Sequence, residues 1–300
     1  MSRLFVVLAF SLFSLAAQAE VRVLTSIKPL QLIAVAVQGD LGQPEVLLPP
    51  GASPHHFALR PSDVRRVQGA DLLYWIGADM ETFLPRVLSG REQPSVAVQD
   101  LPGLTLRHFG EGEHEHHDEH GADEHDHEHR PGSLDAHLWL LPANARVIAA
   151  KMAADLSAAD PVNAARYQAN LRAFEQRLAA AEAAIKTRLA PLAGKPFFVF
   201  HQAFDYFEAA YGLQHAGVFS AASEVQPGAR HVAAMRERLK AAGPSCVFSE
   251  PPLRPRLAET LSAGLPVQLA ELDALGAKAE SYEQLLTELS SVLAGCLESR

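Results

Sequence analysis

The sequence predicts an α/β protein: two (β/α) lobes with mostly parallel sheets, joined by one long rigid helix. Three observations carry that prediction. Short apolar runs alternate with amphipathic stretches through the first half of the chain, and the same alternation restarts after residue 194. Strand and helix signals in alternation are the mark of βαβ units and parallel sheets. Between the halves lies a helical pattern that runs without a break for about 30 residues.

The chain opens on a segment that belongs to no lobe. Arg3 precedes the apolar run Leu4 to Ala17, and Ala17-Gln18-Ala19 follows. A positive head, an apolar stretch of about 14 residues and an A-x-A end describe a secretory signal peptide. A membrane-spanning helix would need about 20 apolar residues. Cleavage is expected after Ala19, which makes 1–19 the signal peptide and Glu20 the first mature residue. No cysteine stands at the cleavage point to carry a lipid. The net charge of -9 offers no basic stripe to neutralise phosphates, which excludes nucleic acid as a partner.

In the expected first lobe, residues 20–155, Val21 to Thr25 reads as a strand, Pro29 to Gln38 as a helix and Glu45 to Leu48 as a buried strand. A loop stiffened by Pro49, Pro50 and Pro54 follows, and Pro61 is preset for the first turn of a helix reaching Gly69. Such a strand-to-helix loop is where α/β proteins present functional side chains; here it presents His55 and His56. Leu72 to Ile76 reads as a strand, Glu81 to Leu88 as a helix and Ser95 to Val98 as a strand. From 108 to 132 the pattern fails. Histidines 108, 114, 116, 117, 120, 125, 127 and 129 are interleaved with nine acids between Glu111 and Glu128. This stretch has almost no apolar face to bury and is expected to be a mobile loop. His114, His116, His117, His120, His125, His127 and His129 make it an accessory metal loop, weakened by the entropy of ordering its ligands. Asp135 to Leu140 then reads as a strand-like run delivering His137, and Asn144 to Leu156 as a helix.

Residues 156–193 are the expected linking helix. Asp160 followed by Pro161 is a helix start, and Leu171, Phe174, Leu178, Ala181 and Ile185 recur at intervals of three and four. The stripe is thin in large residues and lasts about three turns, which favours an intramolecular connector over a coiled-coil dimer. In the second lobe, 194–300, Phe197 to Phe200 is a strand ending in His201. A helix over Gln202 to Tyr211, a strand over His215 to Phe219 and a helix over Ala229 to Ala241 follow. Cys246 to Ser249 reads as a strand, Arg256 to Ala263 as a helix, Pro266 to Leu269 as a strand running on to Asp273, and Tyr282 to Cys296 as the last helix. Two cysteines in an exported chain favour a disulfide. Metal binding by Cys246 and Cys296 is the alternative, without the C-x-x-C spacing that would support it.

A loop histidine by itself is more often a surface residue than a ligand. Three in similar contexts change that reading. His55 follows a strand, His137 lies in a strand-like run and His201 ends a strand, and the carboxyl ends of parallel strands line the crevice where ligands bind. Three converging imidazoles make a nitrogen site suited to zinc. Asp273, after another strand, is a possible fourth ligand or hydrogen-bond partner of an imidazole. His56 is expected to point away, His215 begins a strand and His231 lies on an exposed helix.

Four segments then fix a resemblance. Gly51-Ala-Ser-Pro-His-His-Phe-Ala-Leu-Arg-Pro-Ser-Asp63, Asp135-Ala-His-Leu-Trp-Leu140, Phe200-His-Gln-Ala-Phe-Asp-Tyr-Phe207 and Glu271-Leu-Asp-Ala-Leu-Gly276 are similar, in order, to the signature segments of the metal receptors serving ABC-type importers. The similarity runs over essentially the whole mature chain and is greatest to the zinc-binding branch. It implies a metal site in the cleft between lobes, with His55, His137 and His201 as ligands. Manganese-binding relatives carry a carboxylate at the third position, so His201 favours Zn2+. Some zinc members have a carboxylate just before the first histidine. Here that residue is Pro54, which leaves water or Asp273 for the fourth position. The Cys246–Cys296 pair also resembles a disulfide of zinc members. The resemblance further implies a periplasmic monomer that hands zinc to an inner-membrane ABC-type permease. Two other functions share the site: a metal-buffering chaperone or adhesin without transport, and a three-histidine zinc hydrolase. Against the hydrolase, there is no H-E-x-x-H helix, and only Glu250 and Asp273 are candidates for a general base.

Overall fold

The computed structural model describes residues 20–110, 132–220, 229–251 and 256–300. The expected signal peptide and the seven accessory histidines from His114 to His129 lie outside these residues. Among them, no helix is long and apolar enough to cross a membrane.

The first half runs β1 (Val23–Thr25), α1 (Lys28–Gln38), β2 (Glu45–Val46), α2 (Pro61–Gly69), β3 (Leu72–Trp75), α3 (Pro85–Leu88) and β4 (Ser95–Ala97). Its four strands form a parallel sheet in the order β2-β1-β3-β4. After α4 (Pro142–Ala159) and the connecting helix α5 (Ala164–Leu189), the second half continues β5 (Phe197–His201), α6 (Asp205–Tyr211), β6 (Gly217–Ser220), α7 (Ala229–Ala242), β7 (Ser245–Ser249), α8 (Arg256–Ser262), β8 (Val267–Glu271) and α9 (Tyr282–Leu297). These strands form a second parallel sheet, β6-β5-β7-β8, which has the order of the first. The halves therefore repeat a topology that their sequences do not repeat.

Alternation along β5 shows how the second sheet is packed. Phe197 and Val199 face the main core, while Phe198 and Phe200 face a smaller cluster with Met235 and Leu239 of α7 and Leu261 of α8. Residues i and i+2 of a strand share a face, so this sheet is covered on both sides, as parallel sheets are.

The connector differs from one helix over 156–193. Residues Pro161–Asn163 form a single 3-10 turn after α4 ends at Ala159. Asp160 ties that corner, accepting from Asn163 Nδ2 at 2.7 Å and from the Tyr167 hydroxyl at 2.9 Å. From Ala164 the helix is continuous and, at 26 residues, roughly 40 Å long. Tyr167, Phe174, Leu178, Ile185 and Leu189 are buried on it. They face α1 and α4 on one side and α9 on the other, so the stripe belongs inside one chain.

Two predicted elements are absent in the expected form. Glu81 to Leu88 is helical only in its second half, Pro85–Leu88, and irregular before it. The reason is Glu81 itself. Its carboxylate turns inward and accepts the Ile76 and Gly77 amides at 2.7 and 3.3 Å, which fixes a turn where a helix was expected. Asp135 to Leu140 is no strand either; Leu138–Leu140 forms a 3-10 turn. All three of its residues are buried, and a short apolar run fits a buried turn as well as a strand. Asn144 stabilises the turn, donating to the carbonyls of Leu138 and Thr105 and accepting the Thr105 amide.

Candidate metal centre

His55, His137 and His201 come together. They are 6%, 3% and 2% exposed, and one ring nitrogen from each lies within 4.8 Å of the others. The ring centroids stand 5.4, 5.5 and 4.9 Å apart. Three nitrogens each about 2.0–2.1 Å from one ion can close on it from such an arrangement.

Each imidazole reaches the centre by a different local device. His55 sits at the end of a loop that Gly51 turns with a φ of 78°, a value glycine adopts without steric cost. The Ala52 amide donates to the Pro49 carbonyl at 3.1 Å, closing that turn. Beyond His55, Pro61 opens α2, and Asp63 accepts the Arg60 amide at 3.0 Å to fix the loop's exit. The guanidinium of Arg60 holds the Asp63 carboxyl below the usual range. His137 is delivered by the segment before its 3-10 turn, anchored by the Asp135 amide on the Arg107 carbonyl at 2.9 Å. His201 is the last residue of β5, a fully buried strand.

Two carboxylates stand behind the imidazoles. Asp135 Oδ1 lies 2.8 Å from His137 Nδ1 and also accepts the His137 amide at 3.0 Å. Glu250 follows β7, next to β5 in the sheet, and its carboxylate is 3.3 Å from His201 Nδ1. With both Nδ1 atoms turned to carboxylates, the Nε2 atoms of His137 and His201 are the ones directed at the shared space. A carboxylate behind a ligating imidazole fixes its tautomer and strengthens it as a donor. Burial pushes the Asp135 carboxyl up, because desolvation disfavours the charged form.

The other predicted residues are placed elsewhere. Asp273 is not among the ligating atoms that converge with the three histidines. Its Oδ1 accepts the amides of Leu275 and Gly276 at 3.0 and 2.9 Å, and its Oδ2 accepts that of Ala277 at 2.7 Å. It caps its own turn and lines a separate cavity of about 110 Å³ with Lys28, Pro49 and Leu275. His56 is exposed beside its buried neighbour, and His215 pairs with Glu208. His231 lies on α7 but is half-buried, where exposure was expected. Cys246 and Cys296 are joined in a disulfide, so neither thiol is a ligand. Asp135 carried no role in the sequence reading, and Glu250 entered it only as a candidate base. The available signals were an acid two residues before His137 and an acid directly after a strand.

Against known proteins, residues 23–296 match the family model ZnuA, described as zinc-uptake complex component A, periplasmic. The high-affinity zinc uptake system protein ZnuA of Yersinia pestis is 39% identical over 95% of this chain and 93% of its own. That of Brucella abortus strain 2308 is 36% identical over 92% and 91%. Among solved structures, a zinc-bound deletion mutant of ZnuA superimposes with a TM-score of 0.77. It is 24% identical, over 93% of this chain and 98% of that one, which establishes the shared two-sheet fold.

Proposed function

The chain belongs to the ZnuA family of zinc-uptake components, and from that premise we propose that it captures Zn2+ in the periplasm and hands it to an ABC-type permease. The observation that carries this reading is the triad of buried imidazoles, two of them backed by carboxylates. Neutral nitrogen donors in a closed shell suit zinc and select against harder cations that prefer oxygen. His55, His137 and His201 are the ligands in this reading, and water takes the fourth position because the Asp273 carboxylate is engaged in its turn. The lobes are residues 20–155 and 194–300, linked by 156–193, and the mature monomer starts at Glu20.

The chain acts as a carrier and not as a hydrolase. Asp135 and Glu250, the two carboxylates nearest the imidazoles, face ring nitrogens and orient ligands. A general base would instead face a metal-bound water.

Chelator competition on the mature protein tests the assignment. One tight zinc site is expected, lost in His55→Ala, His137→Ala or His201→Ala and kept when residues 111–129 are deleted. Tight binding that disappears with 111–129 and survives the three alanine variants would refute it. Ester hydrolysis and carbon dioxide hydration by the zinc-loaded protein should stay at background.

A further inference from the structure

A second group of ligating side chains follows His201, and the three-histidine centre does not use it. Asp205 and Glu208 lie one turn apart on α6, and i,i+3 spacing puts both carboxylates on one face. Gly212, at φ 69°, ends the helix in the left-handed region and turns the chain back, so that His215 lies over that face. The His215 amide donates to Glu208 Oε2 at 2.8 Å. Its Nδ1 is 3.0 Å from each Glu208 oxygen and 3.8 Å from Asp205 Oδ1.

This is more than a patch of acids. The side chains of Asp205, Glu208 and His215 are 16%, 6% and 12% exposed, and one ligating atom from each falls within 4.8 Å of the others. Atoms held about 2.0–2.2 Å from one tetrahedral ion stand roughly 3.3–3.6 Å apart. The separations of 3.0 and 3.8 Å bracket that span. Asp205 supplies an independent sign. Its Oδ2 accepts from Gln202 Nε2 at 2.8 Å, but its Oδ1 is shielded from solvent and makes no hydrogen bond to any described group. Such a desolvated carboxylate oxygen is costly without a donor or a cation, and burial raises the Asp205 pKa accordingly.

We propose that Asp205, Glu208 and His215 form a second divalent-cation site, distinct from the three-histidine centre. Two carboxylate oxygens balance the charge of a divalent ion, and one imidazole nitrogen completes a donor set richer in oxygen than the triad. Oxygen donors suit Mn2+ better than an all-imidazole shell does. The second site therefore discriminates less between zinc and manganese, and it takes its ion after the triad is filled. It stands whether or not the triad holds the transported ion.

The test uses the mature full-length protein with one equivalent of zinc bound, titrated with Mn2+ and followed by paramagnetic broadening of backbone amide NMR signals. Signals from Asp205 to Gly217 should broaden together. Asp205→Asn with Glu208→Gln should weaken that effect by more than the about 10–100-fold that loss of an outer partner costs a metal site. His215→Gln, at a partly exposed position, should do the same, with unchanged signals elsewhere showing that the fold is intact. Wild-type signals over 205–217 that stay sharp while those of 111–129 broaden, or broadening that persists in both variants, would overturn the proposal.

Discussion

Of the two carboxylates behind the imidazoles, Asp135 is held the closer, 2.8 Å from His137 Nδ1. It binds both the ring and the amide of His137, so it sets where the imidazole points and which nitrogen carries the proton. Asp135→Asn keeps the shape and removes the charge. The expected result is zinc affinity about 10–100-fold weaker with a nearly unchanged melting profile, read by chelator competition; unchanged affinity would show that His137 needs no such partner. A different buried acid, Glu81, makes stability depend on pH. It is fully buried, and that burial lifts its pKa from 4.5 to about 7. The folded chain therefore binds a proton more tightly than the unfolded chain does. The stabilisation is complete below pH 4.5 and is lost as the pH rises through about 7, a difference of about 3 kcal/mol. Glu81→Gln can still accept the Ile76 and Gly77 amides, and it removes the charge. Denaturant unfolding at pH 8 should show the variant more stable than the parent by up to about 3 kcal/mol, with the gap closing toward pH 5. A gap of the same size at both pH values would remove Glu81 as the cause.

At the scale of elements, the last helix is fastened to its sheet by the bond between Cys246 at β7 and Cys296 at the end of α9. Closing a loop of 50 residues restricts the unfolded chain, and removal of such a bond typically costs about 2–4 kcal/mol. Cys246→Ala with Cys296→Ala should lower the unfolding free energy by that amount while zinc binding persists, since the triad lies on other elements. Loss of zinc binding in the folded variant would show that α9 positions the centre. These elements were largely legible in the sequence, because strands such as Phe197–His201 and helices such as Tyr282–Leu297 announce themselves by run length and period. The place of His201 was legible for the same reason, as the last residue of a strand. The 3-10 turn after His137 was not. Leu138, Trp139 and Leu140 are all buried, so the run has no period to read. Its shape is set by Asn144 and by partners 135 or more residues away. Trp139 Nε1 donates to the Ala274 carbonyl at 2.9 Å, and the Tyr282 hydroxyl donates to the Trp139 carbonyl at 2.6 Å. Asp273, which the sequence leaves open as a fourth ligand or an outer partner, shows a related limit: a carboxylate after a strand can face the crevice or cap its own turn, and the following three amides hold it to the turn.

Taken as a whole, the molecule has two sheets but one main core. The main apolar cluster runs without a break from Val23 and Ile33 through Phe174 and Leu178 of α5 to Phe248, Tyr282 and Leu289. Polar ties cross the same boundary. The Tyr206 hydroxyl accepts the Arg107 amide and donates to the Asp135 carbonyl, both at 2.9 Å, so the residue behind His137 is anchored to α6 of the other half. Domains joined by a small polar interface rock against each other by default, and a large apolar one suppresses that motion. The two halves should therefore unfold together, as one calorimetric transition that zinc shifts upward in temperature by mass action. For the same reason, the radius of gyration from solution scattering should differ by less than about 1 Å between zinc-free and zinc-loaded protein, as in other pre-organised binders. A change of several ångströms, or two separate transitions, would mean that the halves swing on α5 and that the shared core opens. If instead the radius holds, metal must enter and leave by local movement. The segment built for that is the loop from Pro49 to Leu59, which carries His55 and contains no helix or strand. Release at a permease would then require displacing one ligand rather than parting two domains.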